Sequence, residues 1–255
     1  MKYHAKAFLQ SALGFHAYLV VHSLFVALTM RFRPHEGEVR AFISRLAPDA
    51  IVLDIGANVG AMTLLFARQC PKGRVYAFEP IPENYRAASA VLRVCRIKNA
   101  TIFPLGVGER RESLTMVMPN LGTRVRMEGT SHVVRNPGFD DTGTLYRVQA
   151  IALDDFAGIA DETRIDAIKI DVEDHEQFVL HGARKIIERD RPLIYCELWG
   201  DANKAACFAM LEDLDYHAFV AVRGELVPFD ARIHRTINFF FLALACEEAP
   251  LSRAT

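Results

Sequence analysis

The sequence predicts an α/β fold with a mostly parallel sheet of seven strands, an antiparallel edge hairpin and helices on both faces. Three observations carry this. Short apolar, β-branched runs alternate with segments of helical spacing, which is the pattern of βαβ units. A glycine turn follows the first run directly, and the last two runs are separated by too few residues for another long helix. Parallel strands need a crossover, whereas antiparallel neighbours do not.

Taken in order, residues 1–33 form an apolar extension with helical character, and 34–49 lead into the domain with Val39, Phe42, Ile43 and Leu46 at helical spacing. The domain itself occupies 50–245. Its first strand is Ile51 to Ile55, followed by a helix from Asn58; the second is Arg74 to Phe78, followed by a helix over Pro82 to Cys95; the third is Thr101 to Val107. The rhythm then breaks over about 112–150, where glycines and a proline separate the strand-like runs Leu114 to Met118 and Leu145 to Ile151, as expected of a β-containing insertion or a loop over a site. It resumes with a strand at Ala167 to Asp171, a helix over His175 to Glu188, a strand at Pro192 to Leu198 and a helix over Asn203 to Leu214. His217 to Val222 and Ile237 to Ala245 supply the closing hairpin, and 246–255 is a tail.

With 30 Lys and Arg against 31 Asp and Glu, no global field draws the chain to nucleic acid, and no nucleic-acid partner is expected. Cys70, Cys95, Cys196, Cys207 and Cys246 lack the close spacing of a zinc or redox pair, so they are expected to be reduced thiols of a cytoplasmic protein. No metal site is expected. Ala7 to Met30 is apolar over a length that could cross a bilayer, with Lys2 and Lys6 before it and Arg31 and Arg33 after it. Gln10, Ser11, His16, His22 and Ser23 interrupt it. Three readings stay open: a helix packed on the domain or on a partner subunit, an interfacial membrane helix, or a true span or uncleaved signal.

Ligands of open α/β sheets bind at the carboxyl ends of the strands. There the first strand delivers Asp54, and the turn holds Gly56 and Gly60, with Asn58 placed to cap the next helix. Neither G-x-G-x-x-G nor G-x-x-x-x-G-K is present, so a carboxylate leading into G-x-x-x-G suits a cationic, phosphate-free ligand better than a pyrophosphate. Glu79 ends the second strand about twenty residues beyond the turn, where a carboxylate can accept both ribose hydroxyls. Asp171 and Glu173 follow the buried run Ile168 to Ile170 at the same edge, and with His175 they could supply a general base or substrate hydrogen bonds. Asp174 and Glu176 read as charges at a helix start. Arg124, Arg126, His132 and Arg135 of the insertion and Trp199 after the fifth strand are candidates for the acceptor pocket, with surface or packing roles as the alternative.

Together D-I-G-A-N-V-G (54–60), F-E-P (78–80), A-L-D-D-F (152–156), I-K-I-D-V-E (168–173) and the run 192–197 resemble the FkbM family of methyltransferases, over residues 50–245. The resemblance implies a Rossmann-like class I methyltransferase fold and S-adenosyl-L-methionine as cofactor. It implies that Asp54, Gly56, Asn58, Gly60, Glu79 and Asp171 bind that cofactor. The reaction it implies is O-methylation of a hydroxyl on a sugar, glycan, lipid or secondary metabolite, with Asp171, Glu173 and His175 near the chemistry. Asp174 stands where the family has glycine. Two other readings stay beside it: a nucleotide-dependent oxidoreductase, which the missing dinucleotide motif disfavours, and an inactive domain anchored to a membrane or partner by its N-terminal segment.

Overall fold

The computed structural model describes residues 2–29, 37–121, 125–126, 130–134, 143–159, 162 and 164–243. Helices α1 (Lys2–Leu13) and α2 (Phe15–Thr29) come first, then α3 (Gly37–Ile43) and β1 (Ile51–Ile55). Next come α4 (Ala61–Gln69), β2 (Arg74–Phe78), α5 (Pro82–Val94), β3 (Ala100–Phe103) and β4 (Gly106–Val107). The insertion holds β5 (Glu112–Leu121), β6 (Val125–Arg126), β7 (His132–Val133) and β8 (Gly143–Ile151). After β9 (Ala167–Ile170) follow α6 (Glu176–Gly182), α7 (Arg184–Asp190), β10 (Leu193–Glu197), α8 (Asp201–Asp213), β11 (Tyr216–Val222), β12 (Glu225–Pro228) and β13 (Asn238–Ala243).

The main sheet has eight strands in the order β12-β11-β13-β10-β9-β1-β2-β3, one more than the seven expected. The extra strand is β12, which folds back on β11 through Arg223 and Gly224, both at positive φ. The edge hairpin is therefore β11 and β12, while β13 lies inside the sheet, antiparallel to both β10 and β11. The expected third strand divides at Pro104: β3 stays in the main sheet, and β4 pairs with β8 of the insertion. Proline lacks the N–H that would continue the ladder. The expected long helix after the acidic cluster is likewise two helices, α6 and α7, broken at Ala183.

Side chains alternate across the strands, and each face has its own core. Leu53, Ile55, Ile168 and Ile170 pack against Val179, Leu180, Ile187 and Cys207 of the C-terminal helices. Val52, Val75, Ala167 and Tyr195 pack against Phe42 of α3 and Phe66 of α4. Asp54, Lys169 and Asp171 share the parity of Val52 and Ala167, so the polar groups at the strand ends belong to the α4 side.

The N-terminal apolar stretch is two helices rather than one, divided at Gly14, whose φ of +76° favours glycine. Helix α2 lies on the domain: Tyr18 and Leu19 are buried with Val59 and Ala87, and Ala27 with Ala61, Leu64 and Val91. Phe15 reaches Ile81, Met116, Met118 and Val148, so this segment also touches the insertion. Among the described residues, no helix is long and apolar enough to cross a membrane. Cys70, Cys95, Cys196 and Cys207 are free thiols, and Cys246 lies outside the described residues.

Leu19 is fully buried while Phe25 on the same helix is exposed. Leu19→Ala is therefore expected to lower stability by about 2–5 kcal/mol, as for other core truncations, and Phe25→Ala by less than about 0.5 kcal/mol. Equal shifts of the two urea-unfolding midpoints would mean that α2 is not docked on α4 and α5.

Candidate functional site

A narrow cleft opens where β1, β2 and β9 end. Gly56, Asn58, Glu79, Asn84, Asp171 and Glu173 line it, with Ile81, Met116 and Ser131 on the side of the insertion. Parallel strands in register bring these distant parts of the sequence to one edge: Asp54 stands opposite Lys169, and Ile55 opposite both Phe78 and Ile170.

The glycine turn is shaped by the chain itself. Gly56 has φ +77°, and a Cβ there would lie 1.8 Å from the Asp171 carbonyl oxygen, so only glycine lets the turn pass the end of β9. This close approach is to backbone, and Gly56 also lines the cleft. Gly60, at φ +80°, meets Ala88 of α5 rather than a strand, and it forms the entry to α4. Asn58 does not cap that helix. It sits at φ +50°, and its backbone N–H donates to Glu79 Oε2 over 2.8 Å. Asn58 Oδ1 is buried at the cleft with no hydrogen-bond partner in the structure.

Glu79 is buried, and its Oε1 accepts the Ile81 N–H at 2.8 Å and the Asn84 amide at 3.4 Å. Burial pushes the Glu79 carboxyl up to about 7, against the pull of the Ile81 and Asn58 N–H donors. Four lone-pair positions serve a carboxylate, so acceptor capacity remains toward the cleft.

Asp54 does not line the cleft. It is fully buried behind the turn, where Oδ2 accepts the Thr63 hydroxyl at 2.6 Å and Oδ1 lies 3.5 Å from Lys169 Nζ. Lys169 also lies 3.4 Å from Asp171 Oδ2 and donates to the Gly56 carbonyl at 2.7 Å. Burial opposes its charge, yet Asp171 and Asp54 outweigh burial and raise its pKa. Lys169 went unassigned in the sequence reading. The available signal was a lysine inside the apolar run Ile168 to Ile170, because a buried ammonium requires partners.

Past Asp171 the chain turns sharply, with Glu173 at φ +52° and Asp174 at φ +72°. The glycine-like conformation at the position where the family has glycine is kept, by a residue that tolerates it better than most. Glu176 is wholly buried rather than a surface charge: Oε1 accepts the N–H groups of Val172 and Asp174, both at 3.2 Å, and Oε2 accepts the Asn203 amide. Asp174 does not cap α6, whose N-cap is His175, with no side-chain capping bond. The turn takes His175 away from the cleft lined by Glu173. His175 stacks on Phe178 at 4.7 Å and lines an adjoining, mainly apolar cavity with Ile55, Phe78, Leu105 and Val107, which shares Gly56, Pro80, Met116 and Val172 with the cleft.

Glu173 also lines a second, open pocket, with Pro119, Thr130, His132, Val133, Asp174 and Trp199. Burial first, then the charges of Asp171, Glu197 and Glu176, push Glu173 up to about 7. Burial and Asp171 do the same for Glu197, which accepts the Trp199 indole N–H at 2.7 Å. Arg124 and Arg135 lie outside the described residues, as does the Arg126 side chain.

Among the described residues, three carboxylates and no lysine or arginine line the first cleft. Such a wall repels phosphate and suits a cation, and the orphaned Asn58 Oδ1 awaits a donor. The fold and this site define a class I methyltransferase. The family model of the methyltransferase FkbM domain matches residues 54–226, and the chain belongs to that family. It resembles the AMB antimetabolite synthetase AmbE of Pseudomonas aeruginosa at 30% identity, over 54% of this chain and 8% of that protein. It resembles the 2-O-methyltransferase NoeI of Sinorhizobium fredii at 26%, over 59% of this chain and 63% of that protein. The chain thus spans less than two thirds of either relative. In fold it is similar to the crystal structure of a methyltransferase FkbM from Methylobacillus flagellatus KT, with TM-score 0.52 and 18% identity, over 78% of this chain and 44% of that one.

If Glu79 holds the ribose, ligand hydroxyls favour its ionised form and lower its pKa. Affinity for S-adenosylhomocysteine is then expected to rise as pH is raised through about 7 and to level off above it. Glu79→Ala should weaken binding by about 1.5–3 kcal/mol and flatten this dependence. Calorimetric titration at several pH values checks both; an unchanged dissociation constant places the ribose elsewhere.

Proposed function

We propose that the protein is an S-adenosylmethionine-dependent O-methyltransferase whose acceptor is a hydroxyl of a sugar, glycan or similar small molecule. The observation that carries this is Glu173: among the described residues it is the one that lines both the cofactor cleft and the second cavity. S-adenosylmethionine supplies a methyl group already activated on a positively charged sulfur. What remains for the chain is to orient two partners and to take up the proton of the hydroxyl.

Residues around the cleft divide this work. Asn58, Glu79 and Asp171 are the side chains that would hold the cofactor, with Asp54 and Gly60 acting behind them on the shape of the turn. The acidic wall stabilises a cation by simple attraction and disfavours phosphorylated nucleotides. In the second cavity Trp199 offers a half-exposed aromatic face with its indole N–H fixed by Glu197, a platform on which a sugar ring can lie. Glu173 stands between the two. A carboxyl near 7 is well matched to proton uptake at neutral pH, since it is substantially ionised yet basic enough to accept. His175 has no part in this proposal. The resemblance to NoeI, a 2-O-methyltransferase by name, supports oxygen as the nucleophile.

The test is turnover with a hydroxylated acceptor found by screening with labelled donor. The rate is expected to rise with pH through about 7, because Glu173 must be ionised to accept a proton. Glu173→Gln is expected to slow turnover at least about a hundredfold, remove that pH dependence and leave S-adenosylhomocysteine affinity within about twofold. Wild-type turnover by this variant would remove Glu173 from the mechanism.

A further inference from the structure

We propose that the two N-terminal helices, α1 and α2, are a docking surface for an anionic lipid bilayer, on which the protein lies without spanning it. Six of the eleven large apolar side chains exposed among the described residues are here: Phe8, Leu9, Leu13, Val21, Phe25 and Leu28. On α2 the last three recur at i, i+4 and i+7 and so share one side. Leu19, Ser23 and Ala27 repeat every four residues on another side and are buried. Helix α2 is thus apolar on both sides, one packed on α4 and α5 and one in water. Packing on the domain alone would call for a polar outer face; instead Phe8, Phe25 and Leu28 keep 70%, 56% and 64% of their surface exposed.

Charge identifies what covers this face. Residues 1–35 contain Lys2, Lys6, Arg31 and Arg33 and no Asp or Glu. The rest of the chain keeps 30 − 4 = 26 basic residues against 31 acidic ones, a net charge of −5. Exposed apolar residues bracketed by cations are the composition of an interfacial helix, and such cations are drawn to anionic headgroups. A second copy of the chain would bring the same four cations against these. The acidic remainder is repelled by the same lipid surface, which orients the molecule with its N-terminal helices toward the bilayer. Among the described residues α2 is too short to span: its fifteen residues rise about 22 Å against a hydrocarbon core of about 30 Å, and one side of the helix is committed to the domain.

Cosedimentation of the full chain with phosphatidylcholine vesicles containing about 30% phosphatidylserine tests this, with pure phosphatidylcholine vesicles as the comparison. Wild type is expected to sediment with the anionic vesicles and at least tenfold less with the neutral ones. Phe25→Glu with Leu28→Glu, and separately Lys2→Glu with Lys6→Glu, Arg31→Glu and Arg33→Glu, should each reduce binding at least tenfold. Unchanged S-adenosylhomocysteine affinity shows that each variant is folded; should the first fail to fold, the charge variant, which leaves the apolar face intact, carries the test. Absence of wild-type binding to anionic vesicles, or undiminished binding by folded variants, overturns the proposal. So does a wild-type dimer that Phe25→Glu with Leu28→Glu makes monomeric, since that assigns the face to a second copy.

Discussion

The ammonium group of Lys169, buried between Asp54 and Asp171, is the interaction on which the site depends. A lone charge at this depth would be expelled or neutralised. Two carboxylates, with the Gly56 carbonyl accepting at 2.7 Å, keep it charged and in place. Because Asp54 and Lys169 are register partners on adjacent parallel strands, the same contacts join the ends of β1 and β9, and Thr63 adds α4 to the knot. The glycine turn is fastened from within, and its outer side is left for a ligand.

This arrangement separates two kinds of carboxylate. Asp54 is consumed by Lys169 and Thr63 and serves the shape of the turn. Among the described residues, Glu79, Glu173 and Glu197 have no lysine or arginine bonded to them, and burial raises all three toward neutrality. Acids titrating near 7 in a concave site are suited to binding a cation and to taking up a proton. The insertion closes the remaining side: Met116 and Ser131 face the cleft, Thr130 and His132 face the second cavity, and Phe15 of α2 braces the sheet from behind.

Much of this was legible in the sequence because it is local. The run Ile51 to Ile55 with its glycine turn, and Glu79 ending the next strand, follow from short-range pattern and spacing. What was not legible depends on which way a side chain faces once helices pack. Nothing in the spacing shows that Asp54 meets Thr63 of α4, or that Gly56 is required by the Asp171 carbonyl. His175 is two residues past Glu173, but two consecutive left-handed residues, Glu173 and Asp174, turn it inward. Glu176 looked like a helix-end charge and is instead the buried acceptor that shapes that turn. Gly14 and Pro104 each divided an element, and in both cases the residue type carried the signal.

The central claim is that an acid-lined, phosphate-free cleft takes a cationic nucleoside cofactor. Calorimetric titration of the wild-type chain with S-adenosylmethionine, S-adenosylhomocysteine and NAD tests it most directly. The account predicts that both sulfur ligands bind with one-to-one stoichiometry while NAD gives no saturable signal. Saturable binding of NAD with no response to either sulfur ligand would contradict it.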